Sequence, residues 1–176
     1  MRFCETTERD LVDVLQIHRH AFGQEDEALL VVDLLQDPTA QPSLSLVAIE
    51  DDRKVGHVLY TALKLYGPVE DVACAILAPL AVEPAHQRHG IGRALIEHGC
   101  QILAERGVKL VFVLGDPDYY TRCNFVPAFP LGLKAPYPIE PEAAWMVRAL
   151  HQGVLGAIRG TARCASSLAE EKYWRE

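Results

Sequence analysis

Apolar positions Leu11, Val14, Leu15, Ile17 and Ala21 recur at helical spacing, and Gly23 closes the run. Glu25–Leu35 (EDEALLVVDLL) opens on acids, which suit the positive end of a helix dipole, and continues apolar, so it predicts a second helix. After the turn-rich DPTAQPS, Leu44–Glu50 and Lys54–Leu65 are rich in Val, Leu, Ile and Tyr on either side of Asp51-Asp52-Arg53, which predicts a β-hairpin. Val72–Val82 (VACAILAPLAV) is almost unbroken apolar sequence, the mark of a central strand covered on both faces. Pro79 is discordant there. It cannot donate to a strand ladder, so it predicts a bulge or a place where neighbouring strands part.

A further helix is expected over Gly90–Arg106, with Ile91, Ala94, Leu95, His98, Ile102 and Leu103 on one face and Gly107 as its cap. Lys109–Leu114 (KLVFVL) predicts a buried strand, followed by a turn at Gly115-Asp116-Pro117-Asp118 and a short helix over Tyr119–Cys123. Arg2–Glu5 and Trp145–Leu150 add short strands. Beyond Gln152 the pattern predicts no element, and the end is expected to fray. The alternation of strands and helices gives an α/β (α+β) class. No repeat or linker interrupts it, so one domain over 1–176 is expected, with a core at 1–150 and a C-terminal extension at 151–176.

Composition changes this picture little. The chain has 176 residues, of which 49% are hydrophobic and 23% charged, ordinary for a globular domain with its own core. The net charge of −7 argues against a surface built for nucleic acid or an anionic membrane, so any anion must be held by a local patch. MRFCETTERD carries acids where an export signal needs an apolar run, and the expected location is the cytoplasm. Cys4, Cys74, Cys100, Cys123 and Cys164 are widely spaced with no CxxC pair, which favours free, packed thiols. His18, His20, His86, His98 and His151 are scattered, and no metal site is expected.

One local patch does concentrate basic character. Gln87-Arg88-His89-Gly90-Ile91-Gly92 lies between the apolar strand and the next helix, with Arg93 just inside that helix. A helix N-terminus offers unpaired N–H groups and partial positive charge to an anion, and glycines let a phosphate approach the backbone. No Lys-Ser/Thr follows Gly92 and no third glycine completes a dinucleotide fingerprint, so ATP and NAD are disfavoured. As bare letters the same glycines could merely turn the chain.

PLAVEPAHQRHGIGRALIEH resembles the acyl-CoA-binding motif of the Gcn5-related N-acetyltransferases (GNAT), Gln/Arg-x-x-Gly-x-Gly/Ala, here Gln87 to Gly92. LGDPDYYTRCNFV, over Leu114–Val126, is similar to that family's second signature, a tyrosine followed by Gly-Phe. Together they resemble the YhbS-like branch. Asn124 stands where the motif has glycine, and Asn tolerates left-handed backbone well. The resemblance implies a mixed, mostly antiparallel sheet flanked by helices, with strands splayed where acetyl-CoA lies. It also implies that the backbone of Leu80, Ala81 and Val82 pairs with pantetheine. Gln87, Arg88, His89, Gly90, Ile91, Gly92 and Arg93 would then hold the pyrophosphate, with Tyr120 as the acid that protonates the departing sulfur.

Transfer to an amine also needs the amine to lose a proton. The central strand has no carboxylate, which leaves Glu70, Asp71 and His57, with Glu83 poorly placed, and water or an already neutral amine as alternatives. Tyr119 is adjacent to Tyr120 and therefore points elsewhere, to packing or substrate. Cys123 as a nucleophile lacks an evident histidine partner. The expected activity is direct transfer of acetyl from CoA to a small-molecule amine, a protein lysine or an N-terminal amine, with a non-catalytic acyl-CoA sensor as the alternative. No nucleic acid or membrane partner is expected, and a homodimer is an open option. The acceptor would be selected by loops near Leu29–Gln41 and Phe125–Trp145.

Overall fold

The computed structural model describes residues 1–67 and 71–175. Strands β1 (Arg2–Glu5), β2 (Leu44–Glu50), β3 (Arg53–Tyr66), β4 (Cys74–Val82), β5 (Leu110–Leu114), β8 (Trp145–Ala149) and β6 (Val126–Pro127) pair along one sheet in the order β1-β2-β3-β4-β5-β8-β6. Two more strands, β7 (Leu133–Lys134) and β9 (Gly160–Cys164), pair with each other, and β9 also pairs with β3. Among the described residues only the β4–β5 and β7–β9 pairings are parallel. The mixed, mostly antiparallel sheet agrees with the expected class.

Helices α1 (Leu11–Phe22) and α2 (Asp26–Gln36) cover one face of the sheet. There Leu30 and Leu34 join Leu59, Ile76, Phe112 and Trp145 in the core. Helix α3 (Ile91–Glu105) covers the other face, where Leu95, Ile96 and Leu103 pack on Val58, Tyr60, Leu77 and Val111. The one-turn α4 (Pro117–Thr121) follows β5 and is opened by Asp116, whose carboxylate accepts from the Asp118 N–H. The β2–β3 hairpin turns on Asp51 and Asp52, with φ of 49° and 61°. Two consecutive left-handed residues form the tight turn that suits the twist of a hairpin, and Arg53 is already paired with Glu50.

The buried stripe of α3 is rotated from the expected one. His98 is exposed and stacks on Phe3, and Ile102 is half-buried, whereas Ile96, Gly99 and Cys100 are buried. The seam runs through glycine, which a count of apolar side chains does not register. At Gly99 a Cβ would lie 2.2 Å from the Tyr60 ring, and the Tyr60 hydroxyl donates to the Ile96 carbonyl at 3.1 Å. Tyr60 is almost fully buried and cannot swing away. Gly99→Ala should therefore destabilise the protein by about 2 kcal/mol, overpacking outweighing the better helix propensity of alanine. A melting temperature lowered by roughly 4–8 °C would show it, and an unchanged one would contradict this packing.

The segment after Gln152 is ordered into the fold rather than frayed. Strand β9 pairs with the second half of β3, and Trp174 is buried against Trp145 with its Nε1 donating to the Leu168 carbonyl. Asp37 accepts from both the N–H and the hydroxyl of Ser167, tying this segment to the end of α2. Its elements are strands of five residues or fewer and single 3-10 turns, too short to show a period.

Candidate functional site

Pro79 marks the site. Val58 pairs with Leu80 and Tyr60 with Leu77, so Leu59 alone faces both Ala78 and Pro79, a β-bulge. On its other edge β4 pairs with β5 only at Cys74, Ala75 and Ile76. Among the described residues that edge has no strand partner from Leu77 to Val82, and the sheet forks. The C-terminal half of β4 thus offers backbone amides and carbonyls without a strand partner beside the start of α3, and a polar extended ligand can take the place of a strand there.

The connection from β4 to α3 is shaped for an anion. Arg88 and Gly90 both have left-handed backbone, with φ of 66° and 82°, and Gly90 caps the helix. The first helical bond runs from the Ala94 N–H to the Gly90 carbonyl at 3.0 Å. The amides of Ile91, Gly92 and Arg93 therefore precede the intrahelical ladder and point out of the helix end. Gln87 folds back, its Nε2 donating to the Val82 carbonyl at 3.0 Å, which fixes the loop against the strand.

A cleft of about 590 Å³ lies along this edge. It brings together Leu80, Ala81 and Val82 with Gln87, Arg88, Gly90, Ile91, Gly92 and Arg93. His89, grouped with them on sequence, is not in its lining, and its Nδ1 lies 3.2 Å from the His86 carbonyl. The opposite wall comes from α4 and the residues after it, Tyr119, Arg122 and Cys123. Arg88, Arg93 and Arg122 make no ion pair among the described residues, although the chain carries an excess of acids. Three guanidinium groups without an ion pair around a helix N-terminus are a strong local field for a polyanion. A slightly larger cavity of about 620 Å³, between the β1–α1 connection, α1, α2 and Ser45 of β2, is lined by no basic side chain and carries no such signal.

Tyr119 and Tyr120 diverge as neighbours on a helix must. The Tyr119 hydroxyl would lie 2.6 Å from a Cβ on Gly92, so that glycine is what lets the ring close over the start of α3. Tyr120, the acid expected from the sequence, is not in the cleft lining: its half-buried ring packs against Gly115 and stands edge-on to Phe125 at 5.5 Å, beside the lining residue Tyr119. Asn124 is left-handed at φ 67°, the conformation the motif needs at this position. Sequence reasoning did not assign Arg122 or His86 to the cleft. Arg122 follows Tyr119 by one turn of the chain, and that spacing was the available signal.

The candidate bases separate widely. Glu70 lies outside the described residues. Asp71 is exposed and precedes β4 at its paired end, away from the fork. The Glu83 carboxylate lies 3.0 Å from His20 Nδ1. His57, expected to reach a substrate cleft, is instead fully buried under α1: its Nδ1 lies 2.8 Å from His18 Nε2 and its Nε2 2.8 Å from Ser45 Oγ. Contact with His20, an exposed position at the paired end of β4 and a buried histidine pair account for Glu83, Asp71 and His57. Burial holds the Cys123 thiol above its ordinary value, which disfavours the nucleophilic thiolate. All five cysteines are free.

Burial lowers the pKa of His18 from 6.5 to about 4, and burial followed by the His18 charge keeps His57 well below 6.5. Both rings are neutral in the fold and take up protons when it opens. The stability they confer is complete above pH 6.5 and is lost as pH falls through about 4. Thermal melts from pH 7 down to pH 4 should show this decline, and His18→Gln should make it shallower. An unchanged slope in that variant would contradict the buried neutral pair.

The family model described as the acetyltransferase (GNAT) domain matches residues 2–128. The chain belongs to the GNAT acetyltransferase family. Over 163 residues, 91% of the chain and 90% of the relative, it is 41% identical to the uncharacterized N-acetyltransferase YjhQ of Escherichia coli K12. The crystal structure of the GNAT-family N-acetyltransferase YhbS from Escherichia coli in complex with CoA superposes with a TM-score of 0.88 at 29% identity, covering 96% of this chain and 92% of that one. A GNAT-family acetyltransferase from Brucella melitensis in complex with acetyl-CoA shares the fold, with a TM-score of 0.75 at 24% identity over 95% of this chain and 97% of that one. The forked strand and glycine-opened helix are thus set in a GNAT fold over nearly the whole chain. Among the described residues no helix is long and apolar enough to cross a membrane, and no cluster of His, Cys, Asp and Glu could hold a metal ion.

Proposed function

We propose that this GNAT acetyltransferase binds acetyl-CoA along the free edge of β4 and passes its acetyl group directly to a primary amine within a ternary complex. The observation that carries this reading is the conjunction of that unpaired edge with a helix N-terminus ringed by Arg88, Arg93 and Arg122. Pantetheine carries two amides that can pair with Leu80, Ala81 and Val82, and its pyrophosphate suits the amides of residues 88–93 and the guanidinium groups. The crystal structure of YhbS with CoA supports the same ligand here. Residues 1–176 act as one acyltransferase domain, since β9 completes the sheet from beyond the core motifs.

In the reaction the amine nitrogen attacks the thioester carbon, and the resulting oxyanion collapses with cleavage of the C–S bond. Tyr120 supplies a proton to the departing thiolate, and the amine gives up its own to water. His57 has no part in this, because both ring nitrogens are already engaged. The acceptor is a small-molecule amine or a protein lysine or N-terminal amine. A panel of such amines, followed by release of CoA thiol, tests the reading: turnover on at least one acceptor supports it. Tight CoA binding with no turnover on any would instead leave an acyl-CoA sensor.

A further inference from the structure

Arg148 of β8 spreads its guanidinium between α3 and the end of α4. Nη1 and Nη2 donate to the two carboxylate oxygens of Glu97 at 2.8 and 3.0 Å, and Nη1 also donates to the Cys123 carbonyl at 3.1 Å. This two-point, half-buried pair has the geometry that makes Arg–carboxylate contacts strong. Glu97 stands one helical turn after Arg93 on α3, so their side chains share a face and could pair. They do not. Arg93 lines the cleft without an ion pair among the described residues, and the carboxylate within its reach is occupied by Arg148. Arg148 comes first among the groups that hold the Glu97 carboxyl below its usual range, and the nearby Arg93 charge adds a smaller pull, so Glu97 is charged at neutral pH and would turn to Arg93 if Arg148 were lost.

We propose that Arg148 is a positioning residue of the coenzyme site: by occupying both oxygens of Glu97 it leaves the Arg93 guanidinium to face the phosphates of CoA. The proposal rests on the reading of the cleft given above. It assigns a role in binding to a residue that lies on the sheet and outside the cleft lining.

Calorimetric titration of CoA at low salt into a set of variants tests it. Arg148→Met should weaken CoA about three- to fivefold, the weight of one partly exposed ion pair competing for a guanidinium. The KM for acetyl-CoA should rise to match while kcat is kept. Adding Glu97→Gln to Arg148→Met should restore affinity to within about twofold of wild type, and Arg148→Met should cost nothing further in an Arg93→Gln background. Failure of the Glu97→Gln rescue would overturn the proposal, as would an equal loss in the Arg93→Gln background, which would mean that the charge acts without Arg93. Should Arg148→Met not fold, Glu97→Gln alone decides: wild-type affinity is expected, and a severalfold gain would show that Glu97 already contends for Arg93. Arg93→Gln binding CoA as tightly as wild type would overturn the phosphate assignment itself, a different result from failed rescue.

Discussion

Tyr120→Phe is expected to lower kcat for acetyl transfer about a hundredfold while the KM for acetyl-CoA stays within about threefold, the signature of a proton donor used only in the transition state. The thiolate leaves far more readily once protonated, and removal of one hydroxyl removes that proton without changing the shape of the ring. The substitution keeps the ring contacts of Tyr120, which packs on Gly115 and meets Phe125 edge-on. Tyr119→Phe gives the contrast. Its hydroxyl sits over Gly92 in the cleft, so its loss should touch CoA affinity and leave kcat nearly intact. Steady-state kinetics on both variants, with one accepted amine, separates the roles. If Tyr119→Phe takes the hundredfold loss and Tyr120→Phe does not, the two tyrosines exchange assignments.

Gly92→Leu should weaken CoA binding by about a hundredfold, equivalent to about 2.7 kcal/mol, with little change in melting temperature. Gly92 is buried at the first turn of α3, and a side chain there would enter the space that the pyrophosphate needs to approach the helix amides. The nearest obstacle to a Cβ is the Tyr119 hydroxyl, the tip of a partly exposed side chain that can swing outward, so the fold absorbs the change. Gly99 is the counterpart on the same helix. There the obstacle is the buried Tyr60 ring, and the cost falls on stability. Calorimetry together with thermal melts on Gly92→Leu reads both quantities. Unchanged affinity would remove the helix N-terminus from the binding site.

The features legible in the chain are those written within one or two adjoining elements. Pro79 announced the bulge because a residue without an N–H cannot continue a ladder, and the fork opens beside it. Gly90 and Gly92, between a buried strand and a helix, announced the helix end that receives an anion. What pairs across the fold left no mark. Arg148 meets Glu97 across 51 residues and His57 meets His18 across 39, and nothing local to either member distinguishes a paired group from a solvated one. His57 looked like a base because its strand leads toward the site. Strand alternation turns it to the α1 face, where His18 and Ser45 take both its nitrogens out of play. Strand β9 was invisible for a related reason: its five residues have partly exposed, mixed side chains, and it owes its place to distant partners in β3 and β7.

A crystal structure of the protein grown with acetyl-CoA tests the central claim most directly. Pantetheine should lie along β4 beside Leu80, Ala81 and Val82, with the pyrophosphate against the amides of Ile91, Gly92 and Arg93 and the thioester near the fork at Pro79. Coenzyme density in the cavity between the β1–α1 connection, α1 and α2, or an empty cleft at saturating acetyl-CoA, would contradict it.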